Sequence, residues 1–62
     1  MCEAAVYLLK NGKQENLMND VVTITPKEDQ LVLTDILGKE VYTNAKIKEI
    51  DLLGHKVFLE EK

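Results

Sequence analysis

Short apolar stretches separated by turn residues run along the whole chain. Within these stretches Val, Ile, Leu, Thr and Tyr alternate with polar residues, and this period of two is typical of β-strands. An apolar spacing of 3.6 residues is not sustained, so the pattern does not favour long helices. Turn residues recur at Asn11-Gly12, positions 26–29, Gly38 and Gly54. The pattern therefore predicts an all-β meander of five to six short antiparallel strands.

The turn residues divide the chain into predicted strands. Asn11-Gly12 predicts a hairpin, because both residues tolerate the positive φ of a type I′ turn. Pro26 cannot donate to a strand ladder and is expected to end a strand. The predicted strands are Ala4–Lys10, 14–18, 21–25 (a continuation of 14–18 or a restart after Asp20), 31–37, 39–43 and, after a turn at 53–55, 56–60.

The apolar positions change parity late in the chain. Val41, Thr43, Ala45 and Ile47 occupy odd positions, whereas Ile50 and Leu52 occupy even ones. A strand cannot change its buried face without an extra residue, so we expect a bulge or a single turn of 3₁₀ helix near 46–49. In the predicted strand at 21–25, Val22 and Ile24 are expected on one face and Val21 on the other. Five or six short strands with one such irregularity suit a small, strongly bent barrel, so residues 1–62 are expected to form one SH3-like barrel domain.

The first predicted strand is apolar on both faces. Ala4, Val6 and Leu8 lie on one side, and Ala5, Tyr7 and Leu9 on the other. A 62-residue domain has a small core and usually needs additional stabilisation. One cysteine cannot form an internal disulfide, and one Cys with one His cannot form a four-ligand zinc site. A homodimer that covers the outer face of the first strand is therefore expected; the alternative is a strand buried on both sides within one monomer.

Composition narrows the classes of partner. Hydrophobic residues make up 45% of the chain, the formal net charge is −3, and all eight basic residues are lysines. Nucleic-acid binders usually carry a basic stripe with arginine, so nucleic acid is disfavoured as a partner. The apolar run at 4–9 has no basic segment before it and is too short for an export signal or a membrane span. We expect a cytoplasmic protein, in which the thiol stays reduced.

The single cysteine, Cys2, stands where packing is weakest and where an α-amino group is close by. If Met1 is removed, the amine and thiol of Cys2 close a five-membered chelate ring. If Met1 stays, its amine, the Cys2 amide nitrogen and the Cys2 sulfur form two fused rings. Both arrangements suit Ni(II) or Cu(II). A two-fold dimer that joins two copies of Cys2 would offer two sulfurs and two nitrogens to one ion.

The other polar residues point less clearly to chemistry. His55 follows Gly54 in a turn, far from Cys2 in sequence, and is expected to be solvated and to matter little for metal binding, although a barrel could fold the final hairpin toward the first strand. Glu3 is adjacent to Cys2 and could supply an oxygen ligand, but it is expected to be a solvated charge. Acidic pairs at 28–29 and 60–61 are expected to be exposed, which does not suit general acid–base catalysis. We therefore interpret the protein as a non-enzyme.

The opening MC-x-A-x-V-x-L, read through Met1, Cys2, Ala4, Val6 and Leu8, resembles that of the CooT family. The resemblance extends to Asp20-Val21, the strand at 31–33, Gly38-Lys39-Glu40 and KEIDLLGHKVFLEE. CooT-type proteins are small nickel-binding accessories for the maturation of carbon monoxide dehydrogenase. The resemblance implies a homodimeric small β-barrel in which Cys2 binds Ni(II).

The function predicted from the sequence is that of a metallochaperone. The homodimer would bind Ni(II) through Cys2, with Met1 as a further donor, and would support nickel insertion into carbon monoxide dehydrogenase or a related nickel enzyme. Two alternatives stay open. A small barrel can instead be an interaction module for RNA or protein. A redox-sensing thiol would form a Cys2–Cys2 disulfide under mild oxidation.

Overall fold

The computed structural model describes residues 3–61, which form six β-strands and no helix. Accordingly, no helix within that range is long enough and apolar enough to cross a membrane. The all-β prediction is confirmed. The strands are β1 (Ala4–Lys10), β2 (Lys13–Lys27), β3 (Gln30–Asp35), β4 (Glu40–Thr43), β5 (Ala45–Asp51) and β6 (Lys56–Glu61).

One sheet contains all six strands in the order β4-β3-β2-β1-β6-β5. Successive hairpins make the antiparallel pairs β1–β2, β2–β3, β3–β4 and β5–β6. The pairing of β1 with β6 is parallel, with Val6 opposite Val57. This pair departs from the all-antiparallel meander, because it joins strands from opposite ends of the sequence and no short turn connects them.

The sheet is curled into a half-barrel around a single core. Its two edge strands, β4 and β5, are joined by Asn44 alone, and β5 also contacts β3, which is not its neighbour in the strand order. Leu33, Leu59 and Val6 are fully buried at the centre. The other members of the core are Met18, Val21, Leu31, Ala45 and Val57. The predicted small barrel is confirmed, with one side left open.

Irregularities in strand pairing decide which side chains reach the core. A register shift between Ile47 and Glu49 supplies the extra residue expected near 46–49, so of the two alternatives the chain uses a bulge. A second shift, between Val21 and Thr23, was not predicted. Because of it Val21 and Ile24 both contact the core, whereas Val22 is exposed. The prediction that Val22 shares a face with Ile24 is therefore wrong.

The second strand runs unbroken through Asp20, whose φ is 57°, so of the two alternatives the chain uses the continuation. The ends of two strands differ from the prediction. Pro26 does not end the second strand, which continues to Lys27. The third strand ends at Asp35 and not at position 37. One carboxylate oxygen of Asp35 accepts hydrogen bonds from the backbone N–H groups of Leu37 and Lys39, both at 2.9 Å. These bonds stabilise a turn after Asp35, so the strand ends two residues before the predicted position.

The β1–β2 hairpin has the predicted turn, with positive φ at Asn11 (53°) and Gly12 (77°). A Cβ at Gly12 would touch nothing within 4 Å, so the cost of Gly12→Ala is backbone strain alone. We expect Gly12→Ala to lower the free energy of unfolding by about 1–2 kcal/mol. Urea denaturation measures the loss. Gly12→Asn is the control, because Asn tolerates positive φ and should lose less. Equal losses in the two variants would contradict this explanation.

Candidate functional site at the start of the first strand

The turn between β5 and β6 lies directly against the start of β1. The backbone N–H of Ala5 donates a 2.9 Å hydrogen bond to the carbonyl oxygen of His55, and Ala5 also pairs with Lys56. His55 is exposed, as expected, but the fold places it at the amino-terminal end of the first strand. The predicted metal ligands Cys2 and Met1 lie outside the described residues. The description of this region therefore begins at Glu3.

A groove of about 350 Å³ opens at this end of the half-barrel. We call it the N-terminal groove, because Glu3 and Ala4 form part of its lining. Its wall is mainly apolar and is built from β2 around the register shift between Val21 and Thr23, from the end of β5 with the residue after it, and from the start of β6: Val21, Val22, Ile24, Ile50, Leu52 and Val57. Ile50 lies opposite the buried Val57 but is 51% exposed.

Three side chains with metal-binding atoms line the same groove: Glu3, Asp51 and His55. Glu3 is half-buried. An imidazole nitrogen suits nickel, copper and zinc, and carboxylate oxygens are harder ligands. Within residues 3–61, however, there is no group of three or more His, Asp or Glu side chains that could hold a metal ion. The groove thus fits a borderline divalent ion only if further donors join these residues.

Asp51 shapes the turn that carries His55. Its Oδ1 accepts a 2.9 Å hydrogen bond from the backbone N–H of Gly54, and His55 then adopts a φ of 56°. This conformation is uncommon for a residue other than glycine. The sequence did not predict that Asp51, His55 and Glu3 line one groove. Their arrangement depends on the parallel pairing of β1 with β6, which no local sequence pattern indicates.

The two faces of β1 have different surroundings. Val6 is buried in the core, and Ala4 and Leu8 pack against it. On the other face Tyr7 stacks on Phe58 of β6, with ring centroids 5.8 Å apart, and Ala5 and Leu9 are half-buried. The neighbouring strand therefore covers part of the outer face within one chain.

Two other acidic side chains form ion pairs outside the N-terminal groove. Glu61 lies 3.7 Å from the Lys10 ammonium and Glu60 lies 3.7 Å from Lys46, as pairs on the surface. A wider depression of about 550 Å³ lies at the opposite end of β1, where Leu8 and Glu61 form part of its lining. Neither ion pair includes a residue of the N-terminal groove. The groove contains Glu3, the described residue that directly follows Cys2 in sequence.

Similar proteins occur in several organisms. An uncharacterized protein of Methanocaldococcus jannaschii is 35% identical over 60 residues, covering 97% of this chain and 98% of that protein. One from Methanothermobacter thermautotrophicus is 35% identical over 60 residues, covering 97% of this chain and 89% of that protein. One from Archaeoglobus fulgidus is 40% identical over 43 residues, covering 69% of this chain and 96% of that protein.

A solved structure and a family model agree on the relationship. A crystal structure from Carboxydothermus hydrogenoformans, assigned to CooT, superimposes with a TM-score of 0.92 at 33% identity and covers 98% of both chains. The family model described as CO dehydrogenase accessory protein CooT matches residues 1–60. An accessory role fits the interpretation of a non-enzyme. The chain therefore belongs to the CooT family of CO dehydrogenase accessory proteins.

Proposed function

We propose that this chain is a nickel carrier that binds Ni(II) through Cys2 as a homodimer and supplies it to CO dehydrogenase or a related nickel enzyme. The observation that carries the proposal is the family match over residues 1–60, a range that includes Met1 and Cys2. Nickel is the cargo in this function, so its ligands must both hold the ion and release it.

The donor atoms at the start of the chain suit this cargo. A thiolate sulfur next to an amine or amide nitrogen closes five-membered rings, and Ni(II) accepts the square-planar arrangement that such rings favour. With two copies of Cys2, one ion would have two sulfurs and two nitrogens around it. Ligands near a chain terminus can be exchanged one at a time, which suits transfer to an enzyme.

A second copy of the chain is the proposed source of the other half of the site. Val22, Ile50 and Leu52 are 43%, 51% and 80% exposed in the N-terminal groove, and Glu3 lines the same groove. Clustered exposed apolar side chains favour a protein contact. In a two-fold dimer the same surface is used by both chains, so a contact here would bring both amino termini to the axis.

A nickel titration of the wild-type protein tests the proposal. We expect saturation at one Ni(II) per two chains, with sulfur-to-nickel charge-transfer absorption and a dimer with one nickel in native mass spectra. Binding should change little with salt. Absence of nickel uptake, together with strongly salt-dependent binding of RNA, would contradict the proposal and favour the small-barrel interaction module.

A further inference from the structure

One side of β2 is paired along only half of its length. β1 pairs with β2 over positions 13–21, whereas β3, on the opposite side of β2, pairs only with positions 21–27. No strand within residues 3–61 pairs with the β3 side of β2 at positions 13–19. We call this side of residues 13–19 the open edge.

The turn after β3 leaves this edge open. β3 ends at Asp35, whose carboxylate accepts hydrogen bonds from the N–H groups of Leu37 and Lys39, and the chain turns back into β4. At the end of the open edge, the N–H of Ile36 donates a 2.9 Å hydrogen bond to the carbonyl oxygen of Asp20. Ile36 and Leu37, which are 53% and 90% exposed, therefore lie next to the open edge.

The open edge presents backbone groups at the spacing of a strand ladder. The two-residue turn makes Lys10–Lys13 a hydrogen-bonded pair, and the pairing with β1 is regular as far as Asn16. Because the bonds of an antiparallel pair alternate, Gln14 and Asn16 direct their N–H and C=O groups away from β1. Such groups bind an extended segment as an additional strand.

The open edge lacks the side chains that usually prevent such pairing. Natural edge strands are protected by lysine, proline or a bulge. β5 has all but the proline, with exposed Lys46 and Lys48 and a register shift between Ile47 and Glu49. Positions 14–19 contain no lysine and no proline, and their one charged residue is Glu15.

Charge decides which extended segment fits. Glu15 is exposed, and opposite charges on adjacent strands stabilise a pair whereas like charges destabilise it. A second copy of this chain, with a net charge of −3, would bring a further Glu15 to the same edge. A basic segment is therefore the better complement, and its apolar side chains would contact Ile36 and Leu37.

We infer that the open edge binds an extended basic segment of the CO dehydrogenase that receives the nickel, as a strand added to β2. The inference rests on the proposed function and extends it, because it identifies the surface that contacts the enzyme. A member of a family of CO dehydrogenase accessory proteins needs such a surface, and none of the residues proposed to bind nickel takes part in it.

The test measures the affinity of purified, nickel-free CO dehydrogenase from the same organism for Gln14→Pro by biolayer interferometry. Proline is tolerated where the N–H of an edge faces solvent, so the pairing with β1 should persist. We expect the affinity to fall about tenfold or more, because one hydrogen bond is lost and a carbonyl of the enzyme is left unpaired. Gln14→Thr is the matched control: it retains the N–H, suits a strand and should bind like the wild type.

Two further variants test the inference without a proline. Glu15→Lys should lower the affinity about fivefold, and the loss should shrink at high salt. Leu37→Ala should weaken binding of the enzyme, whereas Leu53→Ala, which changes a 96% exposed leucine in the other turn, should not.

The outcomes separate this inference from the proposed function. Failure of the wild-type protein to bind nickel-free CO dehydrogenase, or wild-type affinity in both Gln14→Pro and Glu15→Lys, would refute docking at the open edge. Loss of the dimer in Gln14→Pro, measured by gel filtration, would assign the edge to contact between copies and would also refute it. Nickel titration of the same proteins is independent: unchanged uptake in the variants leaves the proposed function intact, and absence of uptake in the wild type refutes that function instead.

Discussion

Cys2→Ser is expected to abolish tight nickel binding while the fold and the dimer persist. The chain contains one cysteine, so no other thiolate can replace it. A serine hydroxyl does not ionise near neutral pH and is a hard ligand, which suits nickel poorly. The core of the described chain is built from Val6, Leu33, Leu59 and their neighbours, so the substitution should leave it intact.

Competition titration against a chelator measures the affinity, and circular dichroism and gel filtration measure the fold and the dimer. The matched control is Glu3→Gln, which changes the adjacent side chain without removing a soft donor and should retain most of the affinity. An affinity in Cys2→Ser equal to that of the wild type would exclude Cys2 as the ligand. Loss of the dimer in metal-free Cys2→Ser would show that the thiol has a structural role instead.

The largest effect on stability is expected for Leu59→Ala. Leu59 is 0% exposed at the centre of β6 and pairs with Leu8 on one side and with Ile47 on the other. Truncating a buried leucine typically costs about 2–5 kcal/mol. A core in a domain of this size supplies roughly 3–5 kcal/mol. We therefore expect much of the variant to be unfolded at room temperature.

Thermal and urea denaturation followed by circular dichroism check this result. All proteins are compared at one chain concentration, because association changes the apparent stability. Leu53→Ala is the matched control, since Leu53 is 96% exposed and its loss should change the free energy of unfolding by no more than about 0.5 kcal/mol. A loss below about 1 kcal/mol for Leu59→Ala would show that the core tolerates the cavity.

Local patterns in the sequence predict the strands and most of their turns. The limits of β1 agree with the prediction, and the Asn11-Gly12 turn and the bulge after Ile47 are present. Each is determined within a few residues: by alternation, by tolerance of positive φ, or by a change of parity. The bulge after Val21 was not predicted, because two adjacent valines fit either face equally well.

The site was predicted less completely than the fold. Cys2 and Met1 lie outside the described residues, so their role as ligands stays a prediction. His55 was expected to matter little for metal binding, although a barrel could fold the final hairpin toward the first strand; the carbonyl oxygen of His55 does accept a hydrogen bond from the Ala5 N–H. The reason is physical: turn and strand signals are local, whereas the β1–β6 pairing joins distant segments, and one sequence does not reveal which distant strands pair.

The parallel pairing of β1 with β6 also bears on how the chain folds. Val6 meets Val57, so closing this pair encloses nearly all of the polypeptide in one loop. Loop closure costs entropy before the contact stabilises anything, and topologies dominated by such contacts fold slowly. We therefore expect the hairpins β1–β2, β2–β3 and β3–β4 to form early. The contacts around Ala5 and His55 should form in the last step of folding.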